Sequence, residues 1–137
     1  MDAQLWIKFP EPTRDTFAWL WQDVVSLHFK WRLYLDLYGN PDAASVLDQT
    51  ARGCFNLLAE SLVNDIIMSF ARLTDPANTC GKDNLSIAHL LEVLSGHATP
   101  HYLGEWRTAA QLFQDRCGPF KQLRNKRIGH RDRFYED

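Results

Sequence analysis

The chain has 137 residues, 45% of them hydrophobic, and a formal net charge of −2. That length suits one domain able to bury roughly two-thirds of its unfolded surface, and the composition excludes an intrinsically disordered chain. No uninterrupted run approaches the ~20 apolar residues of a membrane span, the start MDAQLWIKFPEPT lacks a signal peptide's basic end and apolar stretch, and Cys54, Cys80 and Cys117, odd in number and widely spaced, point to reduced thiols in a cytoplasm.

Residues 1–12 read as a lead-in broken by Pro10 and Pro12, and residues 13–137 as a single helical domain. Thr13 is the expected cap of a first helix over Arg14–Tyr38. Its apolar stripe runs through Phe17, Leu20, Val24, Leu27, Trp31, Tyr34 and Tyr38 at helical spacing. Trp19, Leu33 and Leu37 fall outside that stripe, so the helix should pack on two sides, in a bundle or at a dimer seam. His28, on the apolar face, is expected to be a satisfied core histidine. Gly39, Asn40 and Pro41 stop this helix, and a second is predicted over Asp42–Leu73. Gly53 is its expected bend. Within its apolar run, Asp65 is expected to make a buried hydrogen bond or ion pair; Arg72 is the other polar residue of note.

Thr74–Asp83 reads as a loop with turn chemistry at Asp75-Pro76 and Gly81. Gly81-Lys82 lacks the remaining elements of a phosphate-binding loop. Asn84 or Ser86 should cap a short helix to Leu94. His97 and His101 are four apart, but Pro100 between them breaks the helix that would align them on a metal. No metal site or cofactor is expected. A fourth helix is predicted over Tyr102–Arg116, with Gly118-Pro119 ending it and Pro119 starting a fifth that packs through Phe120, Leu123 and Ile128. No stretch shows period-two strand alternation, so the fold class is all-α without a sheet.

Charge is unevenly placed. From Arg116 to Arg133 there are seven Lys or Arg against one Asp, a local balance of +6, while the rest of the chain carries −8. Such a segment attracts polyanions, nucleic acid first, or forms a solvated basic helix end. Within it, Leu123–Asp132 reads LRNKRIGHRD. His130 can exchange protons near neutral pH, and Arg124 offers a fixed fork of donors for phosphate oxygens. A proton carrier beside a phosphate clamp suffices for RNA cleavage by its own 2′-hydroxyl. The loose Arg-to-His spacing alone would occur about once by chance in such a chain.

Three stretches together resemble the HEPN superfamily, in its bacterial abortive-infection branch. They are RNKRIGHRD at Arg124–Asp132, DIIMSFARLTDP at Asp65–Pro76, and GKDNLSIAHLLEVL at Gly81–Leu94. The resemblance implies a helical bundle with two long helices and shorter C-terminal ones, dimerising symmetrically so that both motifs face one cleft. It implies metal-independent RNA cleavage in many members and RNA or partner binding in others, with Arg124, Asn125 and His130 at the functional positions. The partners it implies are RNA, a second copy of the chain, and an antitoxin or nucleotidyltransferase. Relatives continue well past the motif, whereas this chain stops at Asp137. On the resemblance, a missing C-terminal helical cover, a natural short form and a fragment are the expected alternatives.

Three functions then compete. The first is a ribonuclease of the toxin or antiviral-defence type, with His130 as general base or acid and Arg124 stabilising phosphoryl charge. Asn125 would orient the phosphate or His130, and Lys126, Arg127, Arg131 and Arg133 would grip the RNA backbone with little sequence reading. The second is a non-catalytic module holding RNA or an acidic partner; the third is a structural dimer. Arg124 and His130, six apart, fall ~120° from a shared α-helical face. The helix must loosen near Gly129, or a second subunit must complete the site.

Overall fold

The computed structural model describes residues 11–129, with the backbone alone for residues 12 and 127–129. His130, Arg131 and Arg133 lie outside the described residues. Helix α1, Glu11–Tyr38, runs antiparallel to α2, Pro41–Leu73. A short hairpin follows, with β1 at Asn78–Thr79 and β2 at Lys82–Asp83, then α3, Ile87–Ser95, and α4, Pro100–Leu123. A π-helical turn, Arg124–Gly129, continues α4. Helix α3 lies against α1 and α4, and α4 with its π-turn lies against α2.

The turn between the long helices is set by its residues. The Gly39 N–H donates to the Leu35 carbonyl at 2.9 Å, and a Cβ at position 39 would stand 2.6 Å from that oxygen. Only glycine fits without backbone movement. Asn40 then caps α2 by accepting from the Asp42 N–H, with Pro41 in the first turn where its missing N–H costs nothing.

The core occupies one end of this hairpin. Leu20, Leu27, Ile66 and Leu73 form its buried centre, with Phe70, Ile87, Leu90 and Phe113 packed against it. The other end is an arm of α1 and α2 alone, leaving Val46 61% and Leu57 65% exposed. The continuous stripe expected of the first helix is therefore covered over only part of its length. His28, expected in the core, is exposed. It sits about 100° around the helix from buried Leu27. The arm is held by the Tyr38 hydroxyl, which donates to the Phe55 carbonyl at 2.8 Å.

Helix α2 breaks at Ala51 (φ −159°, ψ 66°) rather than at Gly53. That φ is ordinary extended backbone, so no glycine is needed. Its neighbour Thr50 donates its hydroxyl to the Val46 carbonyl at 2.7 Å, a side-chain bond that bends helices. Among the described residues α2 is also the one helix long and apolar enough to cross a bilayer by length and composition, which qualifies the reading from uninterrupted runs. Only 22% of its apolar stretch is buried within the domain; the buried apolar residues of α2 are Ile66, Ile67, Ala71 and Leu73.

Two expectations change at the C-terminal side. Residues 74–83 hold the two-stranded hairpin, paired Asn78 with Asp83 and Thr79 with Lys82. Strands of two residues are too short to show alternation. The turn places Cys80 at φ 53° and Gly81 at φ 77°, the positive pair that a tight hairpin requires. Pro119 does not separate two helices; it lies inside α4. An internal proline forfeits one backbone bond, but aromatic packing on both sides keeps the helix continuous. Phe70 of α2 meets Phe113 at 6.3 Å and stacks on Phe120 at 4.6 Å.

Phe70→Ala should therefore cost about 3 kcal/mol, as for other core aromatics, and lower the melting temperature by several degrees. A change under one degree would show that the stack does not hold α4. Cys80→Asn should do the reverse. Asparagine tolerates positive φ far better than cysteine, so thermal melts should show a gain of up to about 1 kcal/mol.

Candidate functional site

The site begins at the C-terminal end of α2. The last carbonyls of a helix lack partners within it. Here Thr74, fully buried, donates its hydroxyl to the carbonyls of Phe70 (3.1 Å) and Ala71 (3.0 Å). The Asp75 N–H donates to the Arg72 carbonyl at 3.1 Å. Lys121 of α4 donates its Nζ to the Thr74 carbonyl. The following loop is tied down by Asn84, whose Nδ2 donates to the Pro76 carbonyl and to Thr79 Oγ1, both at 2.7 Å. Ser86, buried, caps α3 by accepting from the His89 N–H.

Arg124 sits one turn beyond Lys121 on α4 and reaches the same place. Its Nη1 donates to both carboxylate oxygens of Asp75, at 2.9 and 3.2 Å. Its Nε donates to Asn125 Oδ1 at 3.1 Å. Both ion-pair side chains are only 24% exposed. This partial shielding strengthens the pair relative to a surface salt bridge. The three stretches carrying the sequence resemblance thus meet here: Asp75 from the first, Asn84 from the second and Arg124 from the third.

Of the other expected site residues, Asn125 and Lys126 are exposed on the π-turn. Arg127 is described by its backbone alone, within that turn. Loosening near Gly129 is one of the two alternatives for the motif; the backbone forms a π-helical turn over the whole stretch Arg124–Gly129. π-turns inside helices recur at functional sites. His130, Arg131 and Arg133 lie outside the described residues, so the Arg124–His130 relation is not described.

Sequence reasoning missed the partners. Asp75, taken as turn chemistry, is the carboxylate against Arg124, and Lys121, counted only as charge, binds the end of α2. The available signal was that Thr74 and Asp75 belong to one of the three resembling stretches. Asp65 does make an ion pair, with Lys30, but it is 51% exposed rather than buried, and Arg72 pairs with Asp23 at 3.6 Å. Neither touches Arg124.

The rest of the molecule offers less chemistry. His97 lies in the turn after α3 and His101 in the first turn of α4, beside Glu105. Among the described residues no group of three or more His, Cys, Asp or Glu has metal-binding geometry. All three cysteines are free thiols. Burial pushes the Cys117 thiol up, with Lys121 opposing the shift, which disfavours the nucleophilic thiolate. A cavity of about 410 Å3 between α1, α3 and α4 is lined by Phe17, Leu90, Leu94, Trp106 and Phe113 among others, and holds no charged group. It does not suit a polyanion.

The profile of the HEPN_AbiU2 family (AbiU2) matches residues 11–137. Neither a curated protein nor a solved structure matches the chain. The family match covers the whole helical domain, including the end of α2 and the basic motif, and the all-α architecture agrees with it. The chain belongs to the HEPN_AbiU2 family, within the HEPN superfamily.

Proposed function

We propose that this protein is a metal-independent endoribonuclease of the toxin or antiviral-defence type, acting in the cytoplasm as a symmetric homodimer. The observation that carries the reading is Arg124. It heads the most basic segment of the chain, and its guanidinium is bonded in one orientation instead of swinging in solvent. Membership of a HEPN family supports the same reading.

In the proposed reaction His130 removes the proton from an RNA 2′-hydroxyl, and the oxygen attacks the adjacent phosphorus. The bond to the 5′-oxygen breaks, and that oxygen takes a proton from an acid, either His130⁺ or its counterpart in the second subunit. The products are a 2′,3′-cyclic phosphate and a free 5′-hydroxyl. Arg124 stabilises negative charge on the phosphoryl oxygens, and Asn125 orients the phosphate or His130. Lys126, Arg127, Arg131 and Arg133 hold the backbone on either side.

The ion pair with Asp75 favours a second reading. An arginine already matched by a carboxylate can serve as a structural anchor, leaving a non-catalytic module that binds RNA or an acidic partner such as an antitoxin or a nucleotidyltransferase. Incubation with total RNA in EDTA separates the two. The wild type should cleave, and His130→Ala should lose about 10²–10⁴-fold of the rate, the usual contribution of a proton carrier. Cleavage requiring a divalent ion, or His130→Ala cleaving like wild type, would remove the catalytic assignment.

The dimer rests on the arm. Val46 and Leu57 of α2 are exposed there, and Phe29, Trp31 and Leu33 of α1 are exposed closer to the core, on which Tyr34 packs; large exposed apolar surface marks an interaction site. Two-fold closure is the commonest way to cover such a surface. Light scattering should give a dimer for wild type and a monomer for the Phe29→Asp, Leu57→Asp double variant. A monomeric wild type would rule the dimer out.

A further inference from the structure

Arg124 is the charge that the proposed chemistry needs at a fixed point, and a residue 49 positions earlier fixes it. We propose that Asp75 is a positioning residue for Arg124: its carboxylate orients the guanidinium so that the unbonded Nη2 faces a phosphoryl group. The chemical consequence rests on the ribonuclease reading; the orientation rests on the ion pair alone.

The guanidinium plane is defined by two partners. Nη1 is shared between the two Asp75 oxygens, and Nε is taken by Asn125 Oδ1. Among the described residues Nη2 has no partner; in the planar fork one of its N–H groups lies beside the Nε–H and the other beside Nη1. A guanidinium held through Nε and Nη1 with Nη2 unbonded can receive an anion there without first losing rotamer freedom. A lysine cannot do this, because its single nitrogen would spend its charge on the carboxylate.

Asp75 is itself held. Its N–H bonds back to the Arg72 carbonyl. The preceding Thr74 is locked from both sides by its own hydroxyl and by Lys121. The next carbonyl, that of Pro76, is clamped by Asn84. A carboxylate on so fixed a backbone transmits its position to Arg124. An unplaced carboxylate would merely neutralise the charge and compete with phosphate.

The test uses Asp75→Asn, isosteric and uncharged, alongside Arg124→Ala, the double variant, and Arg124→Lys, which keeps a cation against Asp75. Two quantities are read: the order parameter of the Arg124 Nε–H by nitrogen-15 relaxation, and the single-turnover cleavage rate at saturating protein, with RNA affinity measured separately. In Asp75→Asn the Nε order parameter should fall while the α4 backbone amides stay unchanged. The rate should drop about 10²-fold, the usual cost of a misplaced catalytic group, with affinity nearly constant. Arg124→Lys should fold and bind but cleave poorly. In the Arg124→Ala background, Asp75→Asn should have no further effect on rate, since the two act as one unit. The proposal is overturned by an unchanged order parameter, by effects that multiply in the double variant, or by Asp75→Asn cleaving as fast as wild type or faster. The last outcome would make Asp75 a restraint on Arg124. If wild type cleaves no RNA, the ribonuclease reading falls, and the order parameter still decides whether Asp75 orients Arg124.

Discussion

The seating of α4 on the end of α2 governs everything around the basic motif. A helix of 33 residues ends with carbonyls that lack partners within its own ladder and with the negative pole of its dipole. Two cations one turn apart meet the residues just past that end: Lys121 of α4 bonds the Thr74 carbonyl, and Arg124 of the π-turn pairs with Asp75. Beside them Phe70 stacks on Phe120 and approaches Phe113. The aromatic contacts contribute about 0.5–1.5 kcal/mol per pair beyond area burial. The cations add direction, because a hydrogen bond has a geometry that apolar contact lacks. Together they fix the height and rotation of α4, and hence the start of the π-turn.

This seating also explains why so polar a junction is tolerated. Thr74 is fully buried, yet its hydroxyl serves two carbonyls. Asp75 is partly shielded, yet matched by a guanidinium. Each polar group that leaves water finds a partner of opposite character, which avoids the penalty of an orphaned group. The family's resembling stretches are then not three independent signatures. They supply the acceptor, the loop clamp and the donor of one junction.

Much of the architecture was legible in apolar periodicity. Both long helices follow from apolar spacing and the Ser86 cap from capping chemistry, and the end of α2 falls at Leu73 as read, whereas α1 starts at Glu11, ahead of the Thr13 expected to cap it. What stayed hidden depended on distant partners. Pro119 looks like a boundary because its local cost is visible and the compensating contacts with Phe70 are not. The arm's exposure was unreadable because a stripe records apolar residues, not whether a neighbour reaches them. At the site, Arg124 stood out by type and setting, whereas Asp75 looked like one more turn aspartate. No local pattern reports a pairing across 49 residues. The hairpin at residues 78–83 was missed because two paired residues per strand leave no period to detect.

The one-sided core gives the two long helices a gradient of local stability. Near Leu20, Leu27, Ile66 and Leu73 the backbone is locked by the global fold. Toward the Gly39 turn, only the two helices and the Tyr38–Phe55 bond support each other. Amide exchange in a lone protomer should therefore proceed through fraying of the tip at a small fraction of the global unfolding free energy. The break at Ala51 marks a natural seam for that fraying. The segment between Pro41 and Thr50 can melt and reform as a unit while the end of α2 keeps its grip on α4.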